Sequence, residues 1–175
     1  IILPKADSAE TVKQVDHYLT MLEREREMEV GAVAIVPLIE TARGIISSSE
    51  ICTASPRLVG ACLGAEDLAT DMRVQRSRGG QEVQWPRAQL AIAAHAAGLI
   101  PIDTPEPDYS DLEHLEEEAS FARSLGYQGK LCIHPGQVPV VNRVFSPTAE
   151  EIEEARAAVE AFEREGIAKG RAAIP

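Results

Sequence analysis

The chain has 175 residues, of which 45% are hydrophobic but only 4% aromatic. That is enough for one domain with a core of Ala, Val, Ile and Leu, a filling that suits helices packed closely on a parallel sheet. A net charge of −11, from 28 acidic and 17 basic side chains, disfavours nucleic acid and anionic membrane surfaces, since both select a cationic face. A metal cation can still use a few of the carboxylates.

The chain opens with a short strand, residues 1–4, ending in Pro4-Lys5. Asp7 or Ser8 can cap a helix running to about Glu29, with Val12, Val15, Leu19 and Leu22 on one face and Gly31 as its stop. Residues 33–39 are a continuous apolar run, as expected for a strand buried on both faces. A helix follows from Thr41 to about Thr53, then a second buried strand over 58–63. Residues 71–85 are polar and carry Arg73, Arg76, Arg78, Gly79 and Gly80, which predicts a loop. Pro86 suits the first turn of a helix reaching Ala97. Residues 99–102 read as a strand, 110–125 as a helix ended by Gly126, and 130–133 as a strand. A short helix over 138–144 and a long one over 148–165, capped at Ser146 or Thr148, complete the pattern.

Alternating strands and helices of this kind build a parallel sheet through right-handed βα units. An open doubly wound sheet and a (β/α)₈ barrel are both compatible, although five strands do not close a barrel. No G-x-G-x-x-G turn follows the first strand, which lowers a dinucleotide site. Cys52, Cys62 and Cys132 form no C-x-x-C pair and are odd in number, so each is expected to pack as a small hydrophobe rather than join a disulfide or zinc site. No run approaches the ~18 apolar residues of a membrane helix and no signal peptide is visible, so a cytoplasmic location is expected.

In parallel α/β folds the reacting groups lie just past the C-terminal ends of the strands. Those ends here are Pro4-Lys5, Ile39-Glu40-Thr41, Gly64-Ala65-Glu66-Asp67, Asp103-Thr104 and His134-Pro135-Gly136-Gln137. Charged residues directly after buried strands are costly unless paired, hydrated or metal-bound. Adjacent parallel strands lie about 5 Å apart, so Glu40 and Asp67 can reach one cation, and two carboxylates with waters suit Mg²⁺. The alternative is that both acids cap helices or pair with Arg43. His134 reads as a loop-closing residue bonded to backbone, or else as a metal ligand or a base. His17, His95 and His114 fall within helices as surface or boundary residues. Arg73, Arg76 and Arg78 either grip nucleotide phosphates or form a solvated loop.

Four segments resemble the citrate lyase β-subunit/malyl-CoA lyase family of the HpcH/HpaI aldolase superfamily. They are Leu3-Pro4-Lys5 with Ser8-Ala9-Glu10; Pro37-Leu38-Ile39-Glu40-Thr41-Ala42-Arg43-Gly44; Leu63-Gly64-Ala65-Glu66-Asp67-Leu68-Ala69-Thr70-Asp71; and Gly129-Lys130-Leu131-Cys132-Ile133-His134-Pro135-Gly136-Gln137, continuing to Phe145-Ser146-Pro147. Ile102-Asp103-Thr104 also matches. The resemblance implies a (β/α)₈ barrel, to which residues 1–145 contribute about five βα units, strands four to eight. The resemblance also implies that residues 146–175 are a helical extension toward a lid. It implies Glu40 and Asp67 as Mg²⁺ ligands and catalytic residues. Glu40, with Gly64, Ala65 and Glu66, would bind the acid portion of the substrate, and Arg73, Arg76 and Arg78 could contact CoA. The implied reaction is Mg²⁺-dependent C–C cleavage of a hydroxyacyl-CoA such as citryl-, citramalyl- or malyl-CoA to a 2-oxo acid and an acyl-CoA, in a homo-oligomer, a trimer by resemblance. A CoA-independent 2-oxo acid aldolase and an inactive truncated barrel serving as assembly partner are the alternatives. The family's upstream arginine and its lid acid have no match in this sequence, so the chain is expected to be a fragment.

Overall fold

The computed structural model describes residues 1–166. Among the described residues five strands form one parallel sheet in the order β1-β2-β3-β4-β5: β1 Ile2–Leu3, β2 Val36–Ile39, β3 Gly60–Leu63, β4 Ile100–Asp103 and β5 Gly129–Lys130. Helices follow each strand: α1 Ala9–Glu25, α2 Ala42–Ile46, α3 Ser48–Cys52, α4 Ala65–Asp71, α5 Gln81–Ala96, α6 Leu112–Ser124 and α7 Val138–Phe145. Every sheet neighbour is also the next strand in sequence, the connectivity of a singly wound barrel rather than a doubly wound sheet. The chain is therefore α/β with an open run of five barrel-type βα units.

The register sets the site. Ile39 pairs with Leu63, Cys62 with Ile102, and Asp103 with Lys130, so the polar residues that follow β2, β3 and β4 emerge at one end of the sheet. Between sheet and helices lies a core that includes Val12, Ile35, Ile39, Ile45, Ile51, Leu63, Leu68 and Leu90, all at most 2% exposed. All four β3 residues are buried, matching the continuous apolar run.

Several boundaries differ from the sequence reading, each for a physical reason. Ser8 caps α1, its hydroxyl accepting from Thr11 N–H at 3.2 Å, but the helix stops at Glu25 rather than near Glu29. Buried Glu23 accepts the N–H groups of Gly31 at 2.8 Å and Val33 at 3.0 Å, which folds residues 26–33 back as a turn. Leu22, placed on the apolar face, is exposed, and Glu23 takes the inward position. The helix expected over 41–53 is two short ones, interrupted at Ser47 within a run of three serines, which are weak helix formers. The loop expected over 71–85 is shorter at both ends. Asp71 closes α4, and α5 starts at Gln81 after Gly80 at φ +58.

Pro86 is consequently inside α5. The helix start is held instead by Glu82, whose carboxylate accepts from the Ser77 N–H at 3.1 Å and the Ser77 hydroxyl at 2.6 Å and pairs with Arg76. The strand expected over 130–133 contracts to Gly129–Lys130, after which Leu131 N–H still bonds Asp103 O at 2.9 Å. Cys52 and Cys62 are buried small hydrophobes as read, whereas Cys132 is exposed.

The chain divides between Phe145 and Ser146. The second unit begins with a reciprocal cap, in which Thr148 Oγ1 accepts from Glu151 N–H at 3.1 Å and Thr148 N–H donates to Glu151 at 2.7 Å. Helix α8, Ala149–Ala161, and one wider turn, Phe162–Gly166, follow. The remainder of the extension read over 146–175, residues 167–175, lies outside the described residues.

Candidate active site

Two acids converge where β2 and β3 end. Glu40 follows β2 directly and is 4% exposed; Asp67 lies in the first turn of α4, with its side chain 57% exposed. Burial pushes the Glu40 carboxyl above its ordinary range. The Lys5 N–H, donating to Glu40 Oε1 at 2.9 Å, opposes this, while the negative charge of Asp67 pushes the same way as burial. Lys5 Nζ lies 3.8 Å from Asp67 Oδ1. The Glu40 carboxyl therefore senses Asp67 across one opening, with one ammonium beside them.

A cavity of about 180 Å³ adjoins the pair, lined by Leu38, Glu40, Gly64, Ala65, Glu66, Asp67, Thr104, Pro105 and Leu131. Its floor is Gly64. A Cβ there would meet Glu40 Cβ at 2.6 Å and Oε2 at 2.7 Å, so only glycine leaves the carboxylate its place. Gly64 N–H donates to Ile39 O at 3.0 Å and Ala65 N–H to Thr104 Oγ1 at 3.0 Å. Gly64 and Ala65, which the resemblance assigns to substrate binding, thus have their N–H groups engaged by the fold. The N–H groups of Glu66 and Asp67 remain as first-turn donors that a helix leaves without an intrahelical acceptor.

Neighbouring contacts brace this end of the sheet. Thr41 Oγ1 accepts from Gly44 N–H at 3.0 Å, and Asp71 Oδ2 from Ala42 N–H at 2.8 Å, which ties α4 to the turn after Glu40. Buried Asp103 lies between Arg87, 2.9 Å from Oδ1, and Lys130, 2.7 Å from Oδ2, and Arg87 also reaches Glu118 at 2.7 Å. Sequence reading named Asp103 only as a strand-end acid; its interior location makes it part of a neutral, fully paired network. Lys5, Thr104 and Asp71 belong to the surroundings of the acid pair and were not singled out. Their visible signal was position, since Lys5 and Thr104 both stand at strand ends, together with membership of the segments that resemble the family.

The remaining sequence candidates lie apart from the pair or are otherwise engaged. His134 Nδ1 accepts from Gly136 N–H at 3.0 Å, and its ring stacks on Tyr109 with centroids 4.9 Å apart. Arg76 pairs with Glu66 at 2.8 Å and with Glu82, and Arg78 with Asp111 at 2.7 Å. Arg73 is exposed, with a left-handed backbone at φ +58. His17 and His95 are exposed and His114 is intermediate.

Among the described residues no group of three or more His, Cys, Asp or Glu side chains is placed to hold a metal. Two oxygen-donating acids at the mouth of a cavity nonetheless suit a hard cation that keeps several waters. A buried carboxylate whose ionisation is disfavoured by burial and by a second acid is stabilised by such a cation.

The HpcH/HpaI aldolase/citrate lyase family model matches residues 1–135. The chain belongs to that family. It is 36% identical to the citrate lyase subunit beta of Leuconostoc mesenteroides subsp. cremoris over 99% of this chain and 57% of that protein. It is 35% identical to an L-malyl-CoA/beta-methylmalyl-CoA lyase of Cereibacter sphaeroides over 98% of this chain and 61% of that protein. Among solved structures, CitE from Mycobacterium tuberculosis in complex with magnesium, acetoacetate and coenzyme A superposes with a TM-score of 0.73 at 32% identity, covering 94% of this chain and 57% of that one. This member of the HpcH/HpaI family thus spans somewhat more than half the length of those relatives. No helix among its described residues is long and apolar enough to cross a membrane.

Proposed function

We propose that this chain carries the metal-binding part of a Mg²⁺-dependent lyase that cleaves, or in reverse forms, a C–C bond in a hydroxyacyl-CoA thioester such as citryl-, citramalyl- or malyl-CoA. The observation that carries the reading is the meeting of Glu40 and Asp67 at the mouth of one cavity, with Gly64 leaving room for the Glu40 carboxylate. The resemblance to lyases of CoA thioesters, and to a structure holding magnesium and coenzyme A, supports it.

Glu40 and Asp67 are the two side chains that would hold the cation. When bound, Mg²⁺ supplies Lewis-acid stabilisation of negative charge on the substrate's hydroxyl or keto oxygen. The reaction removes the hydroxyl proton, turns C–O into C=O and leaves the C–C bonding pair on the carbon next to the thioester, which is then protonated. Citryl-CoA would give oxaloacetate and acetyl-CoA. The chain's own part is positional. The Lys5 N–H fixes one Glu40 oxygen, Thr104 secures Ala65, and the N–H groups of Glu66 and Asp67 face the acid end of the substrate. Leu38, Pro105 and Leu131 give the cavity apolar walls that restrict water.

Of the loop arginines, Arg73 is the best placed to meet a CoA phosphate, because Arg76 and Arg78 are already paired with carboxylates. We assign the five strands to positions four to eight of an eight-stranded barrel, residues 1–145, and residues 146–175 to an extension leading to a lid. The assembly is a cytoplasmic homo-oligomer, a trimer by family resemblance.

The test is cleavage of citryl-CoA and malyl-CoA, followed with and without EDTA, alongside CoA-free aldol cleavage of a 4-hydroxy-2-oxo acid. Mg²⁺-dependent thioester cleavage that Glu40→Ala and Asp67→Ala each abolish is expected. Cleavage of the CoA-free substrate alone would assign the site to a 2-oxo acid aldolase. Calorimetry showing no Mg²⁺ uptake would leave the inactive-partner reading.

A further inference from the structure

We propose that Lys5 is a substrate-anchoring residue of this mouth, whose backbone N–H holds Glu40 and whose ammonium receives the carboxylate of a 2-oxo acid. The inference rests on the metal-site reading above and deepens it by naming a side chain that joins the Glu66 and Asp67 N–H groups in recognising the anion.

The first observation is that Lys5 touches both acids by different atoms. Its N–H donates to Glu40 Oε1 at 2.9 Å and its Nζ lies 3.8 Å from Asp67 Oδ1. The second is its backbone, at φ +48. Glycine adopts that conformation without steric cost, whereas a lysine there is strained. The chain on either side is anchored, by β1 before it and by the Ala6 N–H bond to Leu38 O at 3.1 Å after it. The left-handed turn directs the N–H at Glu40, and glycine would serve that purpose at least as well. The presence of a lysine then calls for a role of its side chain.

Charge supplies that role. Glu40, Asp67 and Lys5 sum to −1, Glu66 at the cavity being offset by its partner Arg76, and a divalent cation brings the mouth to +1; with a neutral residue at position 5 the loaded mouth would be neutral. A net positive cavity draws in an anionic oxo acid. The Lys5 side chain is 68% exposed and its contact with Asp67 is long, so the ammonium is free to turn to an incoming carboxylate.

The experiment is calorimetry on the full chain, titrating first Mg²⁺ alone and then oxaloacetate at saturating Mg²⁺. Lys5→Gly keeps the backbone N–H and relieves the turn, and Lys5→Met keeps the aliphatic stem. In both, oxaloacetate is expected to bind about fivefold more weakly and Mg²⁺ to bind as tightly or up to about fivefold more tightly, while Lys5→Arg stays within about twofold for each. Weaker oxaloacetate binding without weaker Mg²⁺ binding separates an electrostatic role from damage to the fold. Unchanged oxaloacetate affinity in the Gly and Met variants, or parallel weakening of both ligands, would overturn the inference and leave the metal site standing. Failure of the unaltered chain to bind Mg²⁺ would overturn the metal site and this inference together.

Discussion

Gly64 and Glu40 stand side by side at the ends of adjacent strands, so close that a methyl group on Gly64 would lie 2.6 Å from Glu40 Cβ. The relationship follows from register. Ile39 pairs with Leu63, and Gly64 N–H donates to Ile39 O at 3.0 Å, which leaves Glu40 and Gly64 as the next facing pair. Gly64→Ala is therefore expected to displace the Glu40 carboxylate. Overpacking at such a site costs about 1–3 kcal/mol, readable as a lower urea midpoint. Mg²⁺ affinity should fall by about tenfold or more in the same variant. Mg²⁺ binding that survives the substitution would show that Glu40 is not a ligand.

Glu40 gives a pH signature. Its carboxyl is raised above the ordinary range by burial first, with the negative charge of Asp67 adding to the shift. The sign follows from linkage. An acid whose folded pKa exceeds its unfolded one contributes stability that is complete below the unfolded value and is lost as pH rises through the folded one. Glu40→Gln removes that loss, and its amide oxygen can still accept the Lys5 N–H. In EDTA the variant should melt above the unaltered chain at neutral pH, with the difference closing below about pH 4, where both side chains are neutral. Adding Mg²⁺ should then raise the melting temperature of the unaltered chain and leave Glu40→Gln unmoved.

The order of strands and helices was legible because buried parallel strands leave continuous apolar runs, such as Gly60–Leu63, between amphipathic segments. The strand-end acids were legible for the same reason, since a charge abutting such a run stands out. Boundaries set by long-range polar contacts were hidden. Glu23 ends α1 by accepting N–H groups eight and ten residues on, and its partner Arg57 is 34 residues away. The start of α5 depends on Glu82 meeting Ser77 and Arg76, so Pro86 was a misleading marker. At the site, Thr104 matters through its hydroxyl accepting from Ala65 N–H and Lys5 through its N–H donating to the Glu40 carboxylate, long-range bonds between backbone and side chain that no local pattern encodes. The register that brings Gly64 against Glu40 was equally invisible, although the glycine itself stood in the matching motif.

Arg76 tests how far the loop after α4 serves ligand or fold. Its guanidinium joins Glu66, next to Asp67, with Glu82 at the start of α5, and Glu82 is held at about 2 against burial by Ser77 and Arg76. Arg76→Met should lower stability by about 1 kcal/mol, the scale of a partly exposed ion pair, and leave Mg²⁺ affinity unchanged. The KM for a CoA thioester should change less in Arg76→Met than in Arg73→Met. The reverse order would move the phosphate contact onto Arg76 and require its ion pairs to open on binding.

Arg57 tests whether stability and metal binding are separable. It precedes β3, at the end of the sheet opposite the acid pair, and is buried between α1 and the following turn. It meets Glu23 at 2.6 and 2.7 Å, Asp16 at 2.5 Å and Thr20 at 2.9 Å. Arg57 and two backbone N–H groups lower Glu23 from 4.5 to about 2 despite burial, and Asp16 is lowered by Ser55 and Arg57. Such depressed acids contribute stability that is present above their unfolded pKa and is lost as pH falls toward the folded one. Arg57→Met leaves Glu23 buried without its cation, so it should produce the largest fall in melting temperature of the variants discussed, at neutral pH. The difference from the unaltered chain should shrink as pH drops from about 4.5 toward 2, where Glu23 takes up its proton. Below the variant's melting temperature its Mg²⁺ affinity should equal that of the unaltered chain. A loss of Mg²⁺ binding in the folded variant would mean that the two ends of the sheet are coupled.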